Sequence, residues 1–556
     1  MGKIRTMLKK RWPLIFAFVT LTALMITFYS VSTSKNGGAF IYPLDDTYIH
    51  MAMAKNLANH GVWSIRPHGF TSSSSSPLWT LTLAVFFRIF GINDYIPLLL
   101  NIAFGFSLLI VFYLILNRWV QGQWRQILFL LGLIFIVPLH VLILSGMEHT
   151  LHNLLSLLFF FFATQLLTND HVKRGKYIAL LFIAPLLTSS RYEGLFMVFV
   201  FCLLLLAEKK ISPALSIGAI SLIPLVFYGW ISITSGWYAI PNSVLLKGQV
   251  LKPSLEGLIR FLGRPFIRGG DNPQLLWLIL ASAAFLLWVY LKDGTEPEVS
   301  MPGVQAPLLL GGTVFLHLLF AKTGWLFRYD AYLILLALSL LGAYLGDRRV
   351  KWTLKKNHLA CSSAFLVLTA FILTPYLERS ASSLKTLFLA PANIYEQQYQ
   401  MGRFLNRFYN GRGVIINDIG VVSYMTDVHL LDLWGLANME TAKLKRAGQF
   451  QTTKIEALAK EQNMVIAVIY DLWFEKDITG GIPSSWHRVG RWKILNNVIA
   501  GSDKISFYST SPAYTEELRQ SLRLFSGELP DSVVEAGEYL KENDQARPEG
   551  LKPPAC

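Results

Sequence analysis

Apolar runs separated by short polar loops set the rhythm of the first two thirds of the chain. Runs at 12–31, 95–116, 126–144, 150–167, 177–188, 195–207, 214–233, 275–291, 307–320, 332–345 and 358–376 read as membrane spans. The longer ones reach the ~20 residues that a helix needs to cross a bilayer. The stretch Pro77–Phe90 is also apolar, but it is short and carries Arg88. Past residue 378 the pattern changes. Short continuous apolar runs at 413–417 and 464–470 predict buried strands. Residues 440–461 read as helix and 504–509 as a later strand, so a small α/β domain is expected here. From 531 onward charge and proline dominate, and little order is expected. The pattern thus divides the chain into a membrane domain at 1–377, with a first outer loop at about 32–94, an α/β domain at 378–530 and a tail at 531–556.

Composition supports this division. Of 556 residues, 53% are hydrophobic and 13% aromatic against 15% charged, the balance of a polytopic α-helical membrane protein. The formal charge of +15 raises nucleic acid as a partner, but the basic residues sit in loops between apolar runs, where they report topology. If Pro77–Phe90 lies along one face without crossing, the groups Arg118 and Arg125, Lys173 to Lys176, Lys209 and Lys210, and Arg348 to Lys356 all face the cytoplasm. If it crosses, all of them face outward, against the positive-inside rule. The expectation is therefore about eleven transmembrane helices in a bacterial inner membrane, with the α/β domain extracytoplasmic. The first run exceeds the ~7–15 apolar residues of a cleaved signal and is read as an uncleaved anchor. Three cysteines imply no disulfide framework.

That topology gathers polar motifs on the outer face: Asp45-Asp46, Gly146-Met147-Glu148, Arg191-Tyr192-Glu193-Gly194, Pro241-Asn242-Ser243 with Lys247, and Lys322 to Arg328. Ionisable groups at membrane depth are costly and face a cavity or one another, so several on one side predict a polar cleft. Two adjacent carboxylates can supply a general base, hold a divalent cation through oxygen, or cap the next helix. Arg191, Lys247 and Arg328 suit a phosphate, Arg by a bidentate fork and Lys as a point charge; snorkelling to lipid headgroups is the plainer role. His50 could share a helical face with Asp46. Glu148 and Glu193 stand at helix starts, which favour anions in any case. Asn242 and Asp418 fit ligand binding or a turn. The run Ser72 to Ser76 reads as a flexible loop able to close over a substrate.

The stretch Asp45-Asp46-Thr47-Tyr48-Ile49-His50, followed by Ala54-Lys55-Asn56-Leu57-Ala58 and Ser76-Pro77-Leu78-Trp79, resembles the first outer loop of GT-C glycosyltransferases. The likeness is greatest to the terminal arabinofuranosyltransferases, which use a decaprenyl-phosphate-linked arabinose. Gly146-Met147-Glu148, Arg191-Tyr192-Glu193-Gly194, Pro241-Asn242-Ser243 with Lys247, Arg328-Tyr329, Asn417-Asp418-Ile419-Gly420 and Asp432-Leu433-Trp434-Gly435-Leu436 follow in that family's order. Tyr192 departs from the proline common there, and the serine run interrupts the usual approach to Ser-Pro-Leu-Trp. The resemblance implies a GT-C fold and inverting transfer of a sugar, arabinofuranose first, from a polyprenyl phosphate to a polysaccharide, glycolipid or protein. In this reading Asp45 and Asp46 are catalytic, with Asp45 preferred as base. Arg328, Lys247 and Arg191 bind the donor phosphate, and Tyr48, His50, Glu148, Glu193, Asn242 and Asp418 line the substrate site. The resemblance fixes no cofactor, and a divalent cation between Asp45 and Asp46 is open. The rivals are a hexosyl or aminoarabinosyl transferase acting on lipid A or protein and, from another class, a polysaccharide or lipid-linked sugar transporter. A transporter would favour paired half-chain repeats.

Overall fold

The computed structural model describes residues 2–168, 174–246, 255–291, 303–345 and 359–540. Every predicted span falls in a helix. These are Gly2–Lys35, Ile96–Trp119, Gln123–Phe135 with Leu139–Leu144, His149–Leu167, Arg174–Ser190, Gly194–Ala207, Ile211–Thr234, Pro273–Leu291, Gln305–Phe320, Ala331–Leu345 and Leu359–Ile394. Among the described residues, 5 helices are long and apolar enough to cross a membrane. Shorter apolar helices, Gly194–Ala207 and Gln305–Phe320 among them, accompany these. The break before Leu139 falls at Pro138, which has no N–H to continue the ladder. The protein is a multi-pass helical membrane protein with a C-terminal α/β domain.

That domain is built on a single sheet of strands β1 (Gly413–Ile416), β2 (His429–Asp432), β3 (Met464–Ile469), β4 (His487–Lys493), β5 (Lys504–Ser509) and β6 (Val534–Gly537). Their spatial order is β2-β1-β3-β5-β4-β6. β1 runs parallel to β2 and β3, pairing Ile415 with Leu431 and with Ala467, and the remaining pairs are antiparallel. All positions of β1 and β3 are buried, as in parallel sheets covered on both faces. Val414, Ile416, Ile466 and Val468 enter one core, whereas Ile415, Ala467 and Ile469 enter the other.

Two expectations need correction. The helix expected over 440–461 is two helices, Met439–Arg446 and Thr452–Glu461. Gly448 at φ 67° breaks them apart, a left-handed C-terminal stop that glycine adopts without steric cost. The low order expected from 531 also fails for the described residues to 540, because β6 pairs with β4 and buries Tyr539. Residues 541–556 of the expected tail lie outside the described residues.

One helix belongs to both domains. In Asp45–His60, Tyr48, Met51 and Ala54 enter the core of the helical bundle, while Ile49 and Met53 enter the core of the α/β domain. Residues four apart lie on one face of a helix, so its two sides are buried in different cores. It stops at Gly61, φ 68°, whose N–H closes on Asn56 and Leu57 carbonyls. Pro77–Phe90 packs on this helix and turns Leu81, Val85, Ile89 and Phe90 outward. The second tie is Leu359–Ile394, 36 residues long, which runs from the bundle into the turn Tyr395–Tyr399 and the α/β domain.

Candidate active site

The Asp45–His60 helix opens on two carboxylates, which the positive end of its dipole favours. The two side chains then diverge. Asp45 reaches the α/β domain, where its Oδ2 accepts from Gly420 N–H at 2.7 Å and its Oδ1 from Val421 N–H at 2.9 Å. Asp46 turns to the membrane domain and pairs with Arg328. Capping was one reading of the pair, and Asp45 does cap. The helix it caps is Gly420–Met425, far along the chain, and not its own.

Burial, then the neighbouring Asp418 carboxylate, push the Asp45 carboxyl well above its ordinary range, against the Val421 and Gly420 amides that pull it down. A carboxyl raised in the folded state holds a proton that the unfolded chain has already released. Its stabilising contribution is complete below the unfolded value of ~3.9 and is lost as pH rises through the folded one. Asp418→Asn removes one cause of the rise while leaving an oxygen to accept from Tyr470. The melting temperature of this variant relative to wild type is expected to climb as pH rises above the unfolded value. An offset independent of pH would separate Asp418 from Asp45.

Arg328 is held by a strained loop. Trp325, Leu326 and Phe327 have φ of 41°, 55° and 59°, and each non-glycine residue in this left-handed region costs ~1–2 kcal/mol. Buried Asp330 and Arg379 fix the loop. Arg379 donates to Asp330 Oδ2 at 2.8 Å and to the Phe327 carbonyl, and Asp330 Oδ1 accepts from Gly324 N–H at 3.3 Å. The loop delivers Arg328 to Asp46, the Tyr329 hydroxyl and Met147 Sδ. Its Nε–H is buried without an acceptor.

Two cavities meet at this point. One, of about 450 Å³, lies between the domains and is lined by Asp45, Asp46, Asp418, Gln398, Trp325, Trp434 and Trp473, among others. The second, of about 390 Å³, opens among Leu195, Phe196, Ile240, Val244, Leu245 and Phe320, and its polar end carries Arg191, Glu193 and Arg328. Asp46, Lys322 and Tyr329 line both.

The other candidates divide between the site and its frame. Asp418 faces the inter-domain cavity, its carboxylate accepting from Tyr470 Oη at 2.6 Å and Gln398 Nε2 at 2.8 Å. Arg191 reaches the apolar cavity, but its guanidinium is shared between Glu148 and Glu193, each at 2.6 Å. Burial raises Glu193, but the charge and hydrogen bond of Arg191 outweigh it and bring the carboxyl down to about 2. Among the described residues, the remaining candidates line neither cavity. Glu148 is fully buried, 3.6 Å from His50 Nε2. His50 Nδ1 lies 3.1 Å from Thr80 Oγ1. Tyr48 accepts from Tyr42 N–H at 3.1 Å, and Asn242 donates to the Gly435 carbonyl at 2.8 Å. Lys247 lies outside the described residues.

The serine run is not a loose flap. Ser72 meets Tyr228 at 2.8 Å, Ser73 donates to the Leu436 carbonyl at 3.0 Å, Ser74 meets Thr80 at 2.9 Å and Ser76 accepts from Trp79 N–H at 3.3 Å. Short hydroxyls answer nearby backbone and hydroxyl groups, so serines here make a buried strap. Lys322, Tyr329, Trp325, Trp434 and Trp473 were not singled out individually as site residues from sequence. The signals for the first three are the polar loop Lys322 to Arg328 and the Arg328-Tyr329 pair.

A family model described as a domain of unknown function (DUF8728) matches residues 392–508. No curated protein matches the chain. Among solved structures, the chain is similar to ArnT from Cupriavidus metallidurans bound to undecaprenyl phosphate, with TM-score 0.48 and 12% identity over 89% of this chain and 98% of that one. It is also similar to the archaeal oligosaccharyltransferase AglB from Archaeoglobus fulgidus in complex with an inhibitory peptide and a dolichol-phosphate, with TM-score 0.42 and 11% identity over 89% of this chain and 74% of that one. At this level of similarity they assign neither activity nor residues.

Proposed function

We propose that the protein is a GT-C glycosyltransferase that moves a sugar from a polyprenyl phosphate to an acceptor hydroxyl at the outer face of the bacterial inner membrane. The observation that carries this reading is the position of Asp46, at the junction of an apolar and a polar cavity and beside Arg328. The apolar cavity suits an isoprenoid chain, and Lys322 and Arg328 at its polar end suit the phosphate. The inter-domain cavity then receives the acceptor. Arabinofuranose as the sugar rests on the motif resemblance, and the acceptor is a polysaccharide, glycolipid or protein.

In this scheme Asp46, and not Asp45, is the base. Both oxygens of Asp45 hold backbone amides, whereas Asp46 reaches both substrates' cavities. A donor phosphate competes for Arg328, and its arrival frees the Asp46 carboxylate and supplies the missing acceptor for Arg328 Nε–H. Asp46 takes the hydroxyl proton while the acceptor oxygen bonds to the anomeric carbon on the side opposite the phosphate. The carbon–phosphate oxygen bond breaks, the configuration inverts, and polyprenyl phosphate departs with its charge met by Arg328 and Lys322. Preorganised cations of this kind stabilise developing charge without reorganisation.

Titration of the full-length protein with polyprenyl phosphate tests the donor site. Wild type is expected to bind, and Lys322→Ala to bind roughly tenfold more weakly, the loss of a charge-assisted contact of ~1.5 kcal/mol. Equal binding by both proteins would remove Lys322 from the site, and no binding by either would sink the donor assignment.

The carboxylates also bear on metal. Among the described residues no three His, Cys, Asp or Glu side chains converge to hold an ion, and Asp45 and Asp46 are each engaged with another partner. Transfer is expected to survive chelation by EDTA. A loss restored by added magnesium or manganese would place a cation at the pair.

A further inference from the structure

Two loops and the helix Asp471–Asp477, each following one of the parallel strands, enter the inter-domain cavity beside Ile499 and Gly501 of the β4–β5 connection. Asn417, Asp418 and Ile419 follow β1, Trp434 and Leu436 follow β2, and Trp473 follows β3 by four residues. β1 sits between β2 and β3, so the chain leaves it first to one side and then crosses to the other. In open α/β sheets the crevice at the carboxyl ends of strands, where the strand order reverses, is the place where ligands bind. Here that crevice is not open to solvent on its own. It is closed from the other side by Asp45, Asp46 and Trp325 of the membrane domain.

The lining has a definite chemical character. Trp434 and Trp473 lie 5.0 Å apart and tilted by 48°, both half-buried, and Trp325 is 52% exposed on the facing loop. Indole rings offer apolar surface with a polar edge, a match for the C–H faces of a sugar ring. Around them stand hydrogen-bond acceptors, Asp418, Asp45 and the Asn417 and Gln398 amides, suited to hydroxyls. Among the described residues, those the α/β domain brings to this cavity include no cation, and Lys445 is stacked on the Trp434 ring with its Nζ 4.2 Å from the centroid. From the membrane domain, Arg268 is turned onto the Leu318 and Ala321 carbonyls, and Lys322 lies at the junction with the apolar cavity. An anionic acceptor would face the Asp418 carboxylate, with the lining's cations, Arg268 and Lys322, on the membrane side.

We infer that the carboxyl-end crevice of this sheet is the acceptor subsite, that Trp434 and Trp473 are its stacking residues, and that it takes an uncharged oligosaccharide and not a phosphorylated glycolipid. This deepens the transferase reading and rests on it. The α/β domain then has a task of its own: it selects the acceptor and lays one hydroxyl toward Asp46, while the membrane domain holds the donor.

The test uses the full-length protein in nanodiscs, with tryptophan fluorescence or calorimetry and no donor present. The probes are a linear neutral arabino-oligosaccharide, a linear neutral manno-oligosaccharide, a bis-phosphorylated lipid A and polyprenyl phosphate. At least one neutral oligosaccharide is expected to bind, with Trp473→Ala and Trp434→Ala each weakening it tenfold or more. Trp473→Phe, which keeps an aromatic face, is expected to restore most of the affinity, a recovery that a folding defect would not give. Polyprenyl phosphate binding is expected to stay within twofold in all three variants. Binding of lipid A but of neither neutral glycan overturns the inference, as does binding of no glycan probe or neutral-glycan affinity indifferent to both tryptophans. Failure of polyprenyl phosphate to bind wild type counts separately, against the transferase reading itself.

Discussion

Asp46→Asn is expected to lower the turnover of sugar transfer by roughly 10²–10⁴-fold, the usual contribution of a positioned general base, while the protein remains folded and binds polyprenyl phosphate. Asparagine keeps the volume and an oxygen for Arg328 but cannot take a proton from the acceptor. Asp46 is 23% exposed on its side chain but its partner Arg328 only 1%, so some loss of melting temperature is expected from the missing countercharge, with the fold retained. Asp45→Asn makes a contrasting pair. One of its side-chain atoms becomes a donor facing a backbone N–H, so the expected damage is to the union of the two domains and appears in melting temperature as well as rate. Similar rate losses with unaltered stability in both variants would contradict this division of labour.

Gly420→Ala carries the second large effect. A Cβ at Gly420 would meet the Asp45 carbonyl oxygen at 2.0 Å and its Cγ at 2.8 Å. Both contacts are with the first turn of the helix that bears the two acids, and the carbonyl oxygen is backbone that cannot swing aside. Overpacking of this kind costs ~1–3 kcal/mol. The accompanying loss of the two backbone hydrogen bonds to Asp45 adds ~0.5–1.5 kcal/mol each. The α/β domain is therefore expected to back away from Asp45, lowering the melting temperature and displacing Asp46 from its reacting geometry. Misplacement by ~1 Å can cost ~100-fold in rate. Limited proteolysis between the domains, compared with wild type, reads the undocking directly. An alanine variant with wild-type stability and turnover would show that the Asp45–Gly420 contact is dispensable.

The outline of this arrangement was legible in the chain because its signals are local. Apolar runs gave the helices, and continuous β-branched runs gave β1 and β3 within a residue. The polar motifs at helix ends foretold a cleft, and Asp46, Arg328 and Asp418 do line cavities. The unreadable part was what each charge would meet. Asp45 finds its amides at Gly420 and Val421, a partnership across the whole membrane domain that no spacing announces. Arg191 looked suited to a phosphate because Glu148 lies in another helix-end motif, and only the fold brings the two to 2.6 Å. The loop Trp325 to Phe327 adopts a conformation that favours glycine without containing one, since buried Arg379 and Asp330 impose it from outside. Ser72 to Ser76 has the composition of a mobile linker, yet burial against Tyr228, Thr80 and Leu436 turns the same hydroxyls into struts.

The central claim is that Asp46 takes the acceptor proton during transfer from a polyprenyl phosphate. Its most direct test is the release of polyprenyl phosphate when purified wild type and Asp46→Asn are each given polyprenyl-phosphate arabinofuranose, and in parallel a hexose or aminoarabinose donor, together with a neutral glycan acceptor. The account predicts that wild type consumes at least one donor and glycosylates the glycan, and that folded Asp46→Asn does so at least ~100-fold more slowly. Consumption of no donor by wild type, or equal consumption by the variant, would contradict it.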